Sequence, residues 1–182
     1  MKHKNIYEEC PFYQNETVTL KQTTTEDAED LLRCYSDEKA IPFFNADNCP
    51  GDFHFTTLEQ MQNEISFWDR SYQTKWFVRW TVMQNDTSEK VGTVEMFNRG
   101  ILADIGSHGV LRIDLQSNCE NRQTICGILE IANRHFYEDF DVTWILTKAI
   151  PDAEERIIAL TQMGYVPASF EKANYYCRSE KR

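Results

Sequence analysis

The chain has no basic excess. Its 182 residues carry 19 Lys and Arg against 29 Asp and Glu, a formal charge of -10. A nucleic-acid binder displaces counterions from phosphates with a basic footprint, and none is visible, so that partner class is excluded. Long apolar runs are also missing. No stretch approaches the roughly 18 apolar residues of a membrane span, so no membrane insertion is expected. The opening Met1, Lys2, His3, Lys4 and Asn5 are charged, but no apolar signal core follows, and a cytoplasmic location is expected. The six cysteines, Cys10, Cys34, Cys49, Cys119, Cys126 and Cys177, form no CxxC pair. Their scatter fits reduced thiols and argues against a disulfide framework or a metal site. No Ser-His-Asp order and no Gly-Lys-Ser/Thr phosphate loop is present.

What is present is an ordinary globular composition, long enough for one domain over 1–182, with 1–15 as a weakly structured lead-in. The acidity suits a cationic substrate such as an amine, and equally suits plain solubility. Val18 and Leu20 alternate in a first strand over 17–22. Thr24 or Thr25 caps a helix with Ala28, Leu31, Leu32 and Tyr35 on one face. Residues 41–55 lose the helical period and carry Phe43, Phe44, Phe53 and Phe55. That loop is either a lid or substrate wall, or a segment folded onto its own aromatics. Thr56 or Thr57 starts a second helix through Trp68, with Met61 and Ile65 on its buried face. Strands at 76–83 and 91–97 flank a polar turn, giving a hairpin. An irregular connection over 100–109 leads to a strand at 110–115.

Residues 117–120 form a polar turn into an amphipathic helix over 121–139, on which Ile125, Ile128, Leu129, Ala132 and Phe136 recur at helical spacing. A β-branched strand follows at 142–150. Pro151 opens a last helix, which stops at Gly164. Closing strands fall at 166–170 and 173–177. The order predicts a mixed sheet (α/β, of α+β type) with helices on both faces. It also predicts that 110–115 and 142–150 lie adjacent and parallel and splay apart at one end.

Thr17 to Gln22 with Thr25-Glu26-Asp27-Ala28, then Glu89-Lys90-Val91-Gly92-Thr93-Val94, then Met163-Gly164-Tyr165-Val166 resemble the opening, central and closing phrases of the GNAT N-acetyltransferases. The resemblance extends over nearly the whole chain and is strongest to the branch that modifies protein N-termini and small amines. It implies the GNAT-like acyl-CoA N-acyltransferase fold, acetyl-CoA as cosubstrate, no metal, and an amine acceptor on a small molecule or peptide. A homodimer is compatible with it. It places the pantetheine arm along Ile113, Asp114 and Leu115, and the pyrophosphate over Asn121, Arg122, Gln123, Thr124 and Ile125. Free N–H groups and the dipole of a helix N-terminus attract phosphate there. The sequence departs from the family at that turn. Gln123 and Ile125 stand where small residues are usual, and Glu120 stands where Arg or Gln is usual. Ala153 and Leu160 replace the usual Asn and Tyr of the last helix. These departures keep open an alternative, a catalytically silent ligand-binding or protein-interaction module.

Amine acylation needs a proton acceptor and an acid for the departing thiolate. Glu95 is a base, or else a solvent-facing strand glutamate. Asp114 is a second base, or else the partner of Arg112 or Arg79. Tyr175 and Tyr176 point to opposite faces of the last strand, and Tyr176 is the nominated acid. His108 and His54 are further candidates, against a reading as lone surface histidines. Cys126 reads as a small core-facing residue.

Overall fold

The computed structural model describes residues 5–170 and 172–181. One eight-stranded sheet runs through it in the order β1-β2-β3-β4-β5-β6-β8-β7. The strands are β1 (Tyr13–Gln14), β2 (Val18–Gln22), β3 (Val78–Gln84), β4 (Lys90–Leu102), β5 (Gly106–Leu115), β6 (Trp144–Lys148), β7 (Val166–Pro167) and β8 (Tyr175–Ser179). The helices are α1 (Ala28–Tyr35), α2 (Leu58–Gln73), α3 (Arg122–Ile131), α4 (Tyr137–Asp139) and α5 (Glu154–Gln162). The expected mixed sheet is present. β5 and β6 are the parallel pair, and every other neighbouring pair is antiparallel.

Strand alternation gives the sheet two unlike faces. Val78, Trp80 and Val82 of β3, Val94 and Met96 of β4, and Leu111, Ile113 and Leu115 of β5 join the main apolar core with Ile125, Ile128 and Leu129 of α3 and Leu160 of α5. The intervening residues Arg79, Thr81, Thr93, Glu95, Arg112 and Asp114 are buried polar groups. They face the layer built by α1 and α2, whose own apolar cluster holds Leu31, Tyr35, Phe44, Phe53, Met61, Ile65 and Trp68.

Local chemistry explains the element ends. Thr57 accepts from Gln60 N, and Gln60 reaches back to Thr57 N, a capping box at the start of α2. Gly164 sits at φ 85°, with Tyr165 N bonded to Leu160 O and Gly164 N to Thr161 O, which closes α5 in a Schellman motif. Gly92 brings β4 tight against β5, where a Cβ would lie 2.0 Å from Asp114 O.

Several boundaries differ from the sequence reading. The segment 100–109 is no irregular connection, because β4 and β5 pair out to Leu102↔Gly106. α2 runs on to Gln73. Trp76 lies before β3 and is 67% exposed. The long helix over 121–139 is broken by a π-helical turn, Ala132–Phe136, which stacks Phe136 on Trp80 at 5.1 Å. Pro151 precedes α5 in a turn rather than opening it. Within the expected lead-in, β1 joins the sheet and Ile6 is buried. Residues 1–4 lie outside the described residues. No helix among the described residues is long and apolar enough to cross a membrane.

Candidate active site

Three adjacent strands each place one charged residue in register. Arg79 of β3 faces Glu95 of β4, and Glu95 faces Arg112 of β5. Arg79 Nε donates to Glu95 Oε2 at 3.1 Å, and Arg112 Nη1 donates to Glu95 Oε1 at 2.7 Å. Glu95 is therefore no solvent-facing glutamate: it is 1% exposed, and each of its oxygens meets a guanidinium. Asp114 pairs with Arg79 at 3.1 Å and accepts from the Tyr35 hydroxyl at 3.0 Å. Burial alone would depress Arg79, but the carboxylates of Glu95 and Asp114 and the hydrogen bond to Glu95 outweigh it and hold the guanidinium above its ordinary value. Burial and the Asp114 charge push the Tyr35 phenol far up, so it stays a neutral donor. The Arg79 guanidinium also lies 4.1 Å from the Trp68 ring centroid.

One end of this row opens into a cavity of about 990 Å³. Its floor is Arg79, Glu95, Phe97 and Arg112. Its walls are the loop around Asp47, Phe53, His54 and Phe55, and the face of α2 carrying Glu64, Phe67 and Trp68. Tyr175 closes one side. The aromatic loop folds onto its own cluster, with Phe44 and Phe53 buried among α1 and α2, and Phe53 and Phe55 also line the cavity. Arg112 Nε is buried and has no hydrogen-bond partner among the described residues. It is a donor available to a polar ligand.

The structure brings Glu95 to this cavity, and places Asp114 behind it, bonded to Tyr35 and Arg79. Of the tyrosine pair, Tyr175 lines the cavity. Tyr176 lies on the other face of β8, against the main core. His54 is at the wall, whereas His108 is buried in β5. Cys126 is half-buried, with its thiol on Gln162 Oε1.

Sequence reading missed Glu64, Asp47 and Lys148. Burial raises Glu64 above the usual carboxylate range, against the pull of the Trp68 indole N–H at 2.7 Å and the Arg79 charge. The available signal was Glu64 four residues before Trp68, on the helix face that carries Ile65 and Met61. Asp47 accepts from Lys148 Nζ at 2.7 Å and from the Tyr175 hydroxyl at 3.2 Å. Burial would raise Asp47, but these partners hold it below its ordinary value. No cluster of three His, Cys, Asp or Glu side chains among the described residues is placed to hold a metal ion.

β5 and β6 pair from His108↔Trp144 to Leu111↔Thr147, and no pairing continues beyond. The fork that follows is the expected pantetheine groove, and one side chain fills it. Arg156 of α5 is 1% exposed. Its Nη2 donates to Ile113 O at 2.9 Å and its Nη1 to Lys148 O at 3.5 Å, bridging the two diverging strands. Glu120 binds it twice, at 2.6 and 2.7 Å. The expected pyrophosphate turn is engaged in part, beside a surface depression lined by Asn121, Arg122, Gln123, Cys126, Glu155 and Gln162. Arg122 N donates to Glu155 Oε2 at 3.1 Å, and Thr124 N to Asn121 Oδ1 at 3.0 Å. In this conformation the residues present do not fit acetyl-CoA: a guanidinium holds the strand carbonyl and a carboxylate holds the helix N-terminus.

No family model matches the chain. Over 84 residues it is 27% identical to the Bacillus subtilis protein named "Uncharacterized N-acetyltransferase YoaA", a match that spans 46% of this chain and 44% of that one. The matched segment is thus under half the length of that relative. Among solved structures, Mycobacterium smegmatis RimJ in complex with CoA-disulfide superposes at a TM-score of 0.69 with 11% identity, covering 90% of this chain and 82% of that one. The ribosomal-protein-S5-alanine acetyltransferase of Vibrio fischeri superposes at 0.62 with 12% identity, covering 93% and 97%. At such identities the likeness establishes architecture alone, and the chain has the GNAT fold.

Proposed function

We propose that the chain is an N-acyltransferase, acting on a primary amine held in the aromatic cavity. The observation that carries this reading is the position of that cavity on an acetyltransferase fold. Arg112 on its floor lies one residue past the last β5–β6 pair, and Asp47 in its wall holds Lys148 at the end of β6. A ligand there lies beside the fork. Acetyl-CoA, the donor the fold implies, would supply an activated thioester.

The chain's own residues handle the amine. Aromatic faces and the carboxylates Asp47 and Glu64 line its entry, an environment suited to an ammonium on an apolar body. The ammonium must lose a proton before it can attack. Burial raises the affinity of Glu64 for protons, the direction that favours a base, and its Oε2 has no hydrogen bond among the described residues. Glu95, the base expected from sequence, lines the same cavity, but its oxygens hold Arg79 and Arg112 in place. In this reading Glu64 takes the proton and Glu95 orients the floor.

A second reading, a silent ligand-binding module, is favoured by one observation, the occupied groove. A panel of aryl-alkyl and aliphatic primary amines, incubated with acetyl-CoA and followed by release of free thiol, separates the two. Amine-dependent thiol release supports the transferase. Amines that raise the melting temperature without any thiol release support the binding module.

A further inference from the structure

We propose that the first turn of α5 is a built-in occupant of the groove between β5 and β6, and that CoA enters only when Arg156 and Glu155 withdraw. The inference rests on the acyltransferase reading above and concerns how its donor site is controlled.

Arg156 supplies N–H donors to Ile113 O and Lys148 O, the carbonyls left facing the fork where β6 stops pairing. That is the hydrogen bonding an inserted amide-bearing arm would offer. Arg156 Nη1 also donates to Phe43 O at 3.0 Å, tying the groove to the aromatic loop that walls the cavity. Glu155 supplies a carboxylate to the Arg122 amide, at the helix end where an anion is favoured, and meets Arg122 Nη2 at 3.3 Å. A donor surrogate and an anion surrogate therefore stand on consecutive residues of one helical turn, and a single movement removes both.

That turn is weakly anchored by its own chemistry. The N-cap position of α5 is Ala153, which makes no side-chain cap, so only the dipole complement of Glu154 and Glu155 supports the helix start from within. Contacts with the groove, rather than a cap, hold it in place. The buried pair Arg156–Glu120 explains why Glu120 occupies a position where a phosphate-binding turn would gain nothing from an acid: its partner is the occupant. Arg122 and Glu155 are both about half exposed, so the outer contact is the easier one to open.

The test is calorimetric titration of CoA into the full chain and two variants, with urea unfolding of each. Glu155→Gln removes the surrogate anion from a half-exposed position. Arg156→Ala with Glu120→Ala removes both members of the buried pair, so that no lone charge remains inside. If the open groove is populated at about one per cent, unlocking it tightens CoA binding by up to about a hundredfold. The double variant is expected to gain about ten- to a hundredfold, and Glu155→Gln a smaller but measurable amount. Wild-type affinity equal to that of both variants overturns the proposal and leaves the acyltransferase reading intact. Absence of CoA binding in all three proteins overturns the proposal and removes the donor from the acyltransferase reading as well. Should the double variant fail to fold, Glu155→Gln carries the test, and an unchanged affinity is the overturning result.

Discussion

The two sides of the β5–β6 fork are built on opposite plans. On the α1–α2 side, Arg79, Glu95 and Arg112 form a rigid polar floor under an open cavity, and Arg112 Nε is left without a partner. On the α5 side, Arg156 is spread over Glu120 and three carbonyls, and no donor of its guanidinium group is left facing a cavity. Each side buries an arginine with carboxylate partners, yet one arrangement prepares a space and the other fills one. The difference lies in where the arginine is rooted. Arg79 and Arg112 stand on central strands and are fixed by the sheet. Arg156 stands on the first turn of a short, uncapped helix.

The comparison can be broken most forcefully at Arg79. Arg79→Ala leaves Glu95 and Asp114 buried without one of their cations, and is expected to cost about 3–5 kcal/mol of stability. Urea unfolding checks this, and a loss below about 1 kcal/mol would mean that the floor is not held by this residue. Arg156→Met with Glu120→Leu, by contrast, replaces a buried pair with apolar volume and is expected to be neutral or stabilising. A large loss there would show that the groove occupant is structural rather than removable.

Next comes the proton. If amine acylation is found, Glu64→Gln is expected to lower turnover about 10²–10⁴-fold. Glu95→Gln is expected to act through stability and amine affinity instead. The wild-type rate against pH should rise along an acid limb lying above the ordinary glutamate range, because burial raises Glu64. For folding the sign is opposite. A raised carboxylate contributes stability that is complete below its unfolded value and is lost as pH rises through its folded value. A Glu95→Gln variant that loses turnover at constant amine affinity would return the base to Glu95.

The smallest effect concerns Asp47 and Lys148. Their bond holds Asp47 below its ordinary value. The stability it contributes is therefore present above the unfolded aspartate value, about 3.9, and is lost as pH falls through the folded one. Lys148→Met should flatten that acid limb, by about 1 kcal/mol or less for a partly exposed pair. Acid unfolding curves that superpose for the two proteins would show that the bond does not contribute.

Much of the fold was legible because it rests on local rules. Gly164 past Met163 marks a Schellman end, and alternation in β3 and β4 marks a hairpin. The parallel β5–β6 pair follows from a helix between two strands. The site was less legible because its contacts are long-range. A mid-strand glutamate such as Glu95 reads as exposed until register puts Arg79 and Arg112 on either side. Arg156 reads as a surface helix residue until Glu120, 36 positions away, is seen to pair with it. The hairpin at 100–109 was missed because positive-φ Gly100 and Gly106 look like loop punctuation, although they sit within paired strands.

The central claim is that one side of the fork is open and the other self-occupied. A crystal structure of the full chain grown with CoA tests it most directly. The account expects CoA in the fork with the Arg156 guanidinium withdrawn from Ile113 O and Lys148 O, and with Glu155 off the Arg122 amide. CoA bound along Ile113 to Leu115 while Arg156 keeps both carbonyls would contradict it.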